Sequence, residues 1–273
     1  MESEVKNIKE GIVFAAHNLM RGVWLDALIR YYKNLKDEEG LGVFCIQENV
    51  IQNGIAHIDK ISQSLGANYK NYFFNEFPSP GIIYDSDMLD CIDQFSIKLP
   101  EKKEYSRMAK MVASEKRPMQ RYAAVARLRV RGKEPFTVVS LNLTAFGGNK
   151  LRQRQLAAIQ EELGKRDISK RLVICGDTNL FAWTKMMHRR AISSALKFFN
   201  VKDPLGHEPT YYFSRLYSKA KWIQRIPSWM GKIGIDMPRH YDIVASELPF
   251  FKYGKVSTPE SDHDLVWARY DVS

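Results

Sequence analysis

A mixed α/β fold with several strands and few long helices is predicted by three features of the 273-residue sequence. Short apolar runs bounded by turn residues recur along its length, two longer stretches carry apolar residues near helical spacing, and no low-complexity or linker segment interrupts them. GIVFAA (11–16), VFCI (43–46), GIIY (81–84), YAAVARLRV (122–130), FTVVSLNL (136–143), RLVICG (171–176), DIVAS (242–246) and LVWARY (265–270) read as strands. A composition of 45% hydrophobic residues over this length fills one sizeable core, so residues 1–273 are expected to form a single domain.

Taken in order, the elements contain a repeat. The run 11–16 leads to Asn18, WLDALIRYYKNL follows as a helix, and VFCI leads to Gln47-Glu48-Asn49. Later FTVVSLNL leads through Asn142, LRQRQLAAIQEELGK follows as a helix, and RLVICG leads to Asp177-Thr178-Asn179. Each is a strand–helix–strand unit with polar residues at equivalent ends. Packed sheet against sheet with their helices outside, two such units bring those polar ends to one rim.

The formal net charge of +10 attracts anions and points to nucleic acid, an anionic membrane or a phosphorylated small molecule; an ordinary basic surface is the alternative. Three cysteines, two of them (Cys45 and Cys175) inside apolar strands, cannot form a disulfide framework and fit a reducing compartment. MESEVKNIKEG lacks the layout of a secretory signal, and no apolar stretch approaches the roughly 20 residues that span a bilayer, so an intracellular protein is expected.

Glu48 follows VFCIQ and Asp177 follows LVICG, so each carboxylate ends a strand whose preceding residues are apolar. A carboxylate there needs a partner, a hydrogen bond or a cation. Carboxylates with neighbouring amides such as Asn18 and Asn179 are the hard oxygen donors that suit Mg²⁺ or Mn²⁺. Each residue taken singly is more often a strand-end cap or turn residue. Asp242 opens the strand DIVAS, and Ser261-Asp262-His263 precedes the last strand; a His beside carboxylates can be held in one tautomer to bind a phosphate oxygen or move a proton.

Asn18, Gln47-Glu48, Gly176-Asp177-Thr178-Asn179, Tyr241-Asp242-Ile243 and Ser261-Asp262-His263, in that order, together resemble the endonuclease/exonuclease/phosphatase superfamily of DNase I-like proteins. Pro209-Thr210-Tyr211 resembles that family's Thr-containing approach to the Asp242 strand. The resemblance implies a four-layer α/β sandwich with the site at one end of two packed sheets. It implies a Mg²⁺- or Mn²⁺-dependent phosphoester hydrolase in which Glu48 is the main metal ligand, with Asn18 and Asp262 beside the metal or its waters. Asp177 then orients or deprotonates the attacking water, Asn179 holds that water or a phosphate oxygen, and His263, oriented by Asp242, binds the scissile phosphate. Many members carry His where this chain has Asn142, which can donate a hydrogen bond but cannot transfer a proton near neutral pH. The expectation is altered chemistry or substrate preference, with a non-catalytic binding protein as the alternative.

Between residues 211 and 240 six Lys or Arg and six aromatic residues accompany the single acidic Asp236. Within this segment Lys219, Lys221, Trp222, Arg225 and Trp229 are the candidate substrate-binding residues. Basic and aromatic residues so mixed track a phosphate backbone and stack bases, lie on anionic lipid, or pack on the sandwich. A second basic tract, Lys102 to Lys133, supports a polyanion without separating DNA from lipid. Gly176 to Leu180 also resembles the motif of tyrosyl-DNA phosphodiesterases. Nucleic-acid phosphodiester cleavage is the first expectation, and a phospholipid or phosphoinositide headgroup at a membrane surface the second.

Overall fold

Alternating side chains along the strands sort into two buried faces, and this sets the layering. The computed structural model describes residues 11–22, 24–76, 78–102, 104, 119–145, 148–180, 185–212, 215 and 239–273. In β1 (Ile12–Asn18), Ile12, Phe14 and Ala16 join one core cluster while Val13 and Ala15 join another. The same division runs through β2 (Leu41–Asn49), where Val43 and Cys45 face one way and Phe44 and Ile46 the other. Strands buried on both faces read as continuous apolar runs.

The first sheet has the order β12-β13-β1-β2-β6-β5, with β5 (Tyr69–Phe73), β6 (Ser79–Asp85), β12 (Phe250–Val256) and β13 (Leu265–Tyr270). The second has the order β11-β10-β9-β8-β7, with β7 (Leu89–Lys98), β8 (Tyr122–Val130), β9 (Phe136–Asn142), β10 (Leu172–Asp177) and β11 (Asp242–Ser246). Both sheets are mixed. β1 runs parallel to β2, and β9 parallel to β10, while the other neighbours are antiparallel. A short hairpin, β3 (Ile51–Gln52) with β4 (Ile55–Ala56), follows β2.

Helices α1 (Leu25–Glu39) and α2 (His57–Leu65) cover the outer face of the first sheet. Leu25, Leu28, Ile29, Tyr32 and Leu35 make the buried stripe of α1, and Gly40, left-handed at φ 69, ends it by donating its N–H to Lys36 O. Helices α3 (Asn149–Lys165) and α4 (Lys185–Phe198) cover the second sheet, through Leu156, Ile159, Leu163, Ile192 and Ala195. Helix, sheet, sheet, helix is the four-layer sandwich, and the layer between the sheets holds Phe14, whose ring meets Phe136 and Tyr270 edge-on at 5.6 and 5.9 Å. Burying each such ring contributes about 1.5–3 kcal/mol. Tyr270 also crosses the seam to donate its hydroxyl to Val244 O at 2.6 Å.

β1, β2 and β6 extend past their apolar runs, because polar ends such as Gln47 and Asn49 still pair in the ladder, with Asn18 and Ser79. β5, β7, β12, α2 and α4 gave no comparable signal. β7 carries Asp90, Asp93 and Gln94 and lies at an edge. β12, at the other sheet's edge, exposes Phe250, Phe251 and Tyr253 with Lys252 among them. The two-residue turn of the β3–β4 hairpin is Asn53-Gly54, both at positive φ (53 and 80), a hairpin signal that a search for apolar runs passes over.

Gly176 directly precedes Asp177 with φ +128, and a Cβ there would stand 2.1 Å from Leu141 O. Gly176→Ala should therefore lower stability by at least about 2 kcal/mol in urea melts, whereas Gly164→Ala in α3, where the same atom meets nothing within 4 Å, should raise it by about 0.5–1 kcal/mol. Equal effects would show that Gly176 is not conformationally required.

Candidate active site

Strand register brings the polar ends together. Asn18 is the β1 partner of Gln47, Asn142 the β9 partner of Asp177, and Asp177 the β10 partner of Asp242. Past these ends the chain turns left-handed at Glu48 (φ 58) and Asn179 (φ 47), two non-glycine residues in a sparsely populated region. Such strain persists where the surroundings over-determine it, and it gathers at functional sites.

Asp177, 1% exposed, is the hub. Its Oδ1 accepts the Asn179 N–H at 2.8 Å, and its Oδ2 accepts Asn179 Nδ2 at 2.8 Å and Asn18 Nδ2 at 3.1 Å. Asn18 Nδ2 also reaches Glu48 Oε1 at 3.5 Å, so one amide bridges two carboxylates. Met20 N–H and Ser261 Oγ hold Asn18 itself, at its side-chain and main-chain oxygens. Asn142 Oδ1 faces Asn179 Nδ2 at 3.4 Å, which leaves the Asn142 NH₂ as a donor.

His263 completes the cluster from the other sheet's side. Its Nδ1 meets Asp242 Oδ2 at 2.7 Å, and its Nε2 lies 3.9 Å from Asp177 Oδ2 and 4.0 Å from Asp262 Oδ2. Thr210 Oγ1 accepts the N–H groups of Tyr241 and Asp242, each at 3.0 Å, and so fixes the start of β11. Tyr211, quoted in the sequence motif but given no role there, lays its ring 4.9 Å from the His263 ring and 5.0 Å from that of Tyr241. Gln47, also without an assigned role, reaches Ser140 Oγ on the second sheet at 3.4 Å.

The charges follow from this burial. Desolvation alone would strip the proton from His263; Asp242, Asp262 and Asp177 outweigh it and hold the imidazolium well above its usual range. Desolvation, opposed by His263 and reinforced by Asp242, pushes the Asp177 carboxyl up to about 7. Desolvation, opposed by His263 and reinforced by Glu48, raises Asp262 to about 6. Among the described residues no three His, Cys, Asp or Glu side chains form a ready cluster for an ion. Glu48 and Asp262 nevertheless oppose each other's charge at this rim. Two carboxylates with a neighbouring amide fit a hard divalent ion that keeps waters and takes further oxygens from a phosphate. Lys219, Lys221, Trp222, Arg225 and Trp229 lie outside the described residues.

A carboxyl raised in the folded state makes that state bind more protons than the unfolded chain between the two values, so stability falls as pH rises through that window. For Asp177 the window runs from 3.8 to about 7. In metal-free protein Asp177→Asn should flatten the fall in melting temperature from about pH 4 to 7. An unchanged slope would remove Asp177 as its source.

No protein-family model and no curated protein matches the sequence. Solved structures do match its fold. An endonuclease/exonuclease/phosphatase from Bacteroides vulgatus superposes with a TM-score of 0.63 at 16% identity, over 96% of this chain and 99% of that one. A Bacteroides thetaiotaomicron mannosyl-6-phosphatase gives 0.62 at 12%, over 94% and 98%. D. rerio TDP2, complexed with a single-strand DNA product, gives 0.62 at 11%, over 95% and 98%. The chain has the fold of the endonuclease/exonuclease/phosphatase proteins, over nearly its whole length.

Proposed function

We propose that this chain is a divalent-metal-dependent phosphoester hydrolase that cleaves phosphodiester bonds in nucleic acid. The observation that carries the hydrolase reading is the His263 imidazolium held between Asp242 on Nδ1 and the carboxylates of Asp177 and Asp262 near Nε2. A buried charge of this kind, set at a rim where Glu48 and Asn18 also converge, is costly to maintain and suits recognition of a phosphoryl group.

Glu48 and Asp262, with Asn18 beside them, are the residues to hold Mg²⁺ or Mn²⁺, which supplies Lewis acidity toward phosphoryl and leaving oxygens when bound. The rest of the chemistry falls to the chain's own groups. Asp177 Oδ1 accepts one hydrogen bond, from Asn179 N–H, and keeps a lone pair for the proton of an attacking water. Asn179 and Asn18 fix the carboxylate's orientation. His263 offers its Nε2–H to a phosphoryl oxygen while Asp242 maintains tautomer and charge. Asn142 supplies a neutral donor, so it contributes binding without proton transfer.

Nucleic acid is favoured by the net charge of +10 and the basic, aromatic segment before Asp242. The TDP2 structure with single-strand DNA product has this fold, but so does the mannosyl-6-phosphatase. The deciding assay therefore offers the purified protein single- and double-stranded DNA, RNA, sugar and inositol phosphates and lipid vesicles, each with Mg²⁺ or Mn²⁺. Cleavage confined to phosphomonoesters or lipids would overturn the nucleic-acid reading and leave the hydrolase reading in place.

Glu48→Gln should abolish the rise in melting temperature on adding Mg²⁺ and lower turnover by at least about 100-fold, the equivalent of the several kcal/mol an ion contributes to the transition state. Full activity at low Mg²⁺ would remove Glu48 from the metal site. Neutralising Lys219, Lys221 and Arg225 should flatten the dependence of log affinity on log salt by roughly 0.7–0.9 for each phosphate no longer neutralised. Release from anionic vesicles by Trp222→Ala and Trp229→Ala, with an unaltered salt slope for DNA, would assign that segment to a membrane instead.

A further inference from the structure

A cleft of about 550 Å³ lies between the N-terminal end of α1 and the β3–β4 hairpin. Trp24, Ala27, Gln52, Asn53, Ile55 and His57 are among its lining residues. Its walls continue the two chain segments that leave the site: Gly22 and Trp24 follow Asn18, and Gln52 to His57 follow Glu48. Asn49, the residue after Glu48, accepts the Ile58 N–H at 3.0 Å through Oδ1, which ties the His57 end of this wall to the strand end that carries Glu48.

The composition of the walls is unusual for open surface. Trp24 is 50% exposed and Ile55 53% exposed, so a large flat ring and a branched aliphatic side chain both meet solvent in one concavity. Gln52 and Asn53 add amide donors and acceptors on a hairpin closed by its Asn53-Gly54 turn. His57, 2% exposed, engages Gln52 Oε1 through Nε2 at 3.2 Å, while its Nδ1 has no hydrogen-bond partner among the described residues. Gly22 makes room for that ring, since a Cβ at 22 would stand 2.2 Å from His57 Nδ1. The charged members of the wall neutralise each other, as Lys60 pairs with Asp26 at 2.6 Å. A flat apolar platform flanked by amides, without net charge, suits an uncharged planar heterocycle better than a second phosphate.

We infer that this cleft seats the nucleobase adjoining the scissile phosphate, with Trp24 as its stacking platform and Gln52 and Asn53 as polar groups on its edge. The assignment rests on the nucleic-acid reading above. It gives the site a base-dependent component that the carboxylate and histidine cluster lacks, and it makes the hairpin after Glu48 a determinant of which residue of a strand is presented for cleavage.

The test is equilibrium binding under chelation, where the strand is not cleaved, of a labelled oligothymidylate and of an abasic oligomer of equal length. Full-length wild type, Trp24→Ala and Trp24→Phe are compared, with melting temperature as the folding control. Wild type should prefer the base-bearing oligomer, Trp24→Ala should weaken its binding by about tenfold or more while leaving the abasic oligomer unaffected, and Trp24→Phe should restore most of the loss. Equal binding of both oligomers by wild type, or an equal loss on both in Trp24→Ala, would overturn the cleft assignment while the nucleic-acid reading stands. Failure of wild type to bind either oligomer would instead overturn that reading, and the base assignment with it.

Discussion

The 2.7 Å contact between Asp242 and His263 is the constraint on which the rest of this site depends. Asp242 opens β11 of the second sheet, and His263 stands just before β13 of the first, so the pair closes the seam between the sheets at one end. Both side chains are almost wholly buried, and removing one partner of such a pair leaves a charge with nowhere to go, at about 3–5 kcal/mol. Neither sheet can therefore slide relative to the other without exposing that charge. Thr210 sets the β11 end, and Tyr211 packs on the imidazole; together they secure the angle at which Nε2 is presented. Asp177 and Asp262 are raised by their burial in this enclosed space, against the pull of the His263 cation, which lowers both.

Much of this was legible in the sequence, for a definite reason. The strands that carry Asn18, Glu48, Asn142 and Asp177 are buried on both faces, so they appear as unbroken apolar runs, and a polar residue at the end of such a run is conspicuous. Asp242 and His263 stand out likewise at the starts of their strands. Edge strands carry no such contrast. β7 and β12 are largely open to water and mix charge with apolar residues, and β5 is short with a partly open face, so none of the three is conspicuous in the sequence. The outward aromatic rings of β12 would even argue against its being at the surface. Gln47 and Tyr211 are silent for another reason. Their roles depend on contacts across the seam, with Ser140 and with the His263 ring, and sequence spacing carries no information about which residues two packed sheets bring opposite each other.

The two strand–helix–strand units also explain the geometry's economy. In each, parallel pairing sets an asparagine beside the last residues of the partner strand: Asn18 by Gln47, Asn142 by Asp177. The units then differ where chemistry needs them to. One continues into Glu48, left-handed and partly exposed, and the other buries Asp177 and turns left-handed two residues later at Asn179. One framework used twice thus delivers an accessible carboxylate and an enclosed one to the same rim. Their environments, rather than their side-chain types, set them apart.

β12 carries a consequence of a different kind. A sheet edge offers unpaired backbone groups, and here that edge also displays Phe250, Phe251 and Tyr253. Lys252 sits among them, its ammonium tied to Glu39 at the end of α1. That lysine is the kind of charge that keeps one edge from adding to another, and its effect weakens as salt screens it. High ionic strength is therefore expected to favour edge-to-edge self-association through β12.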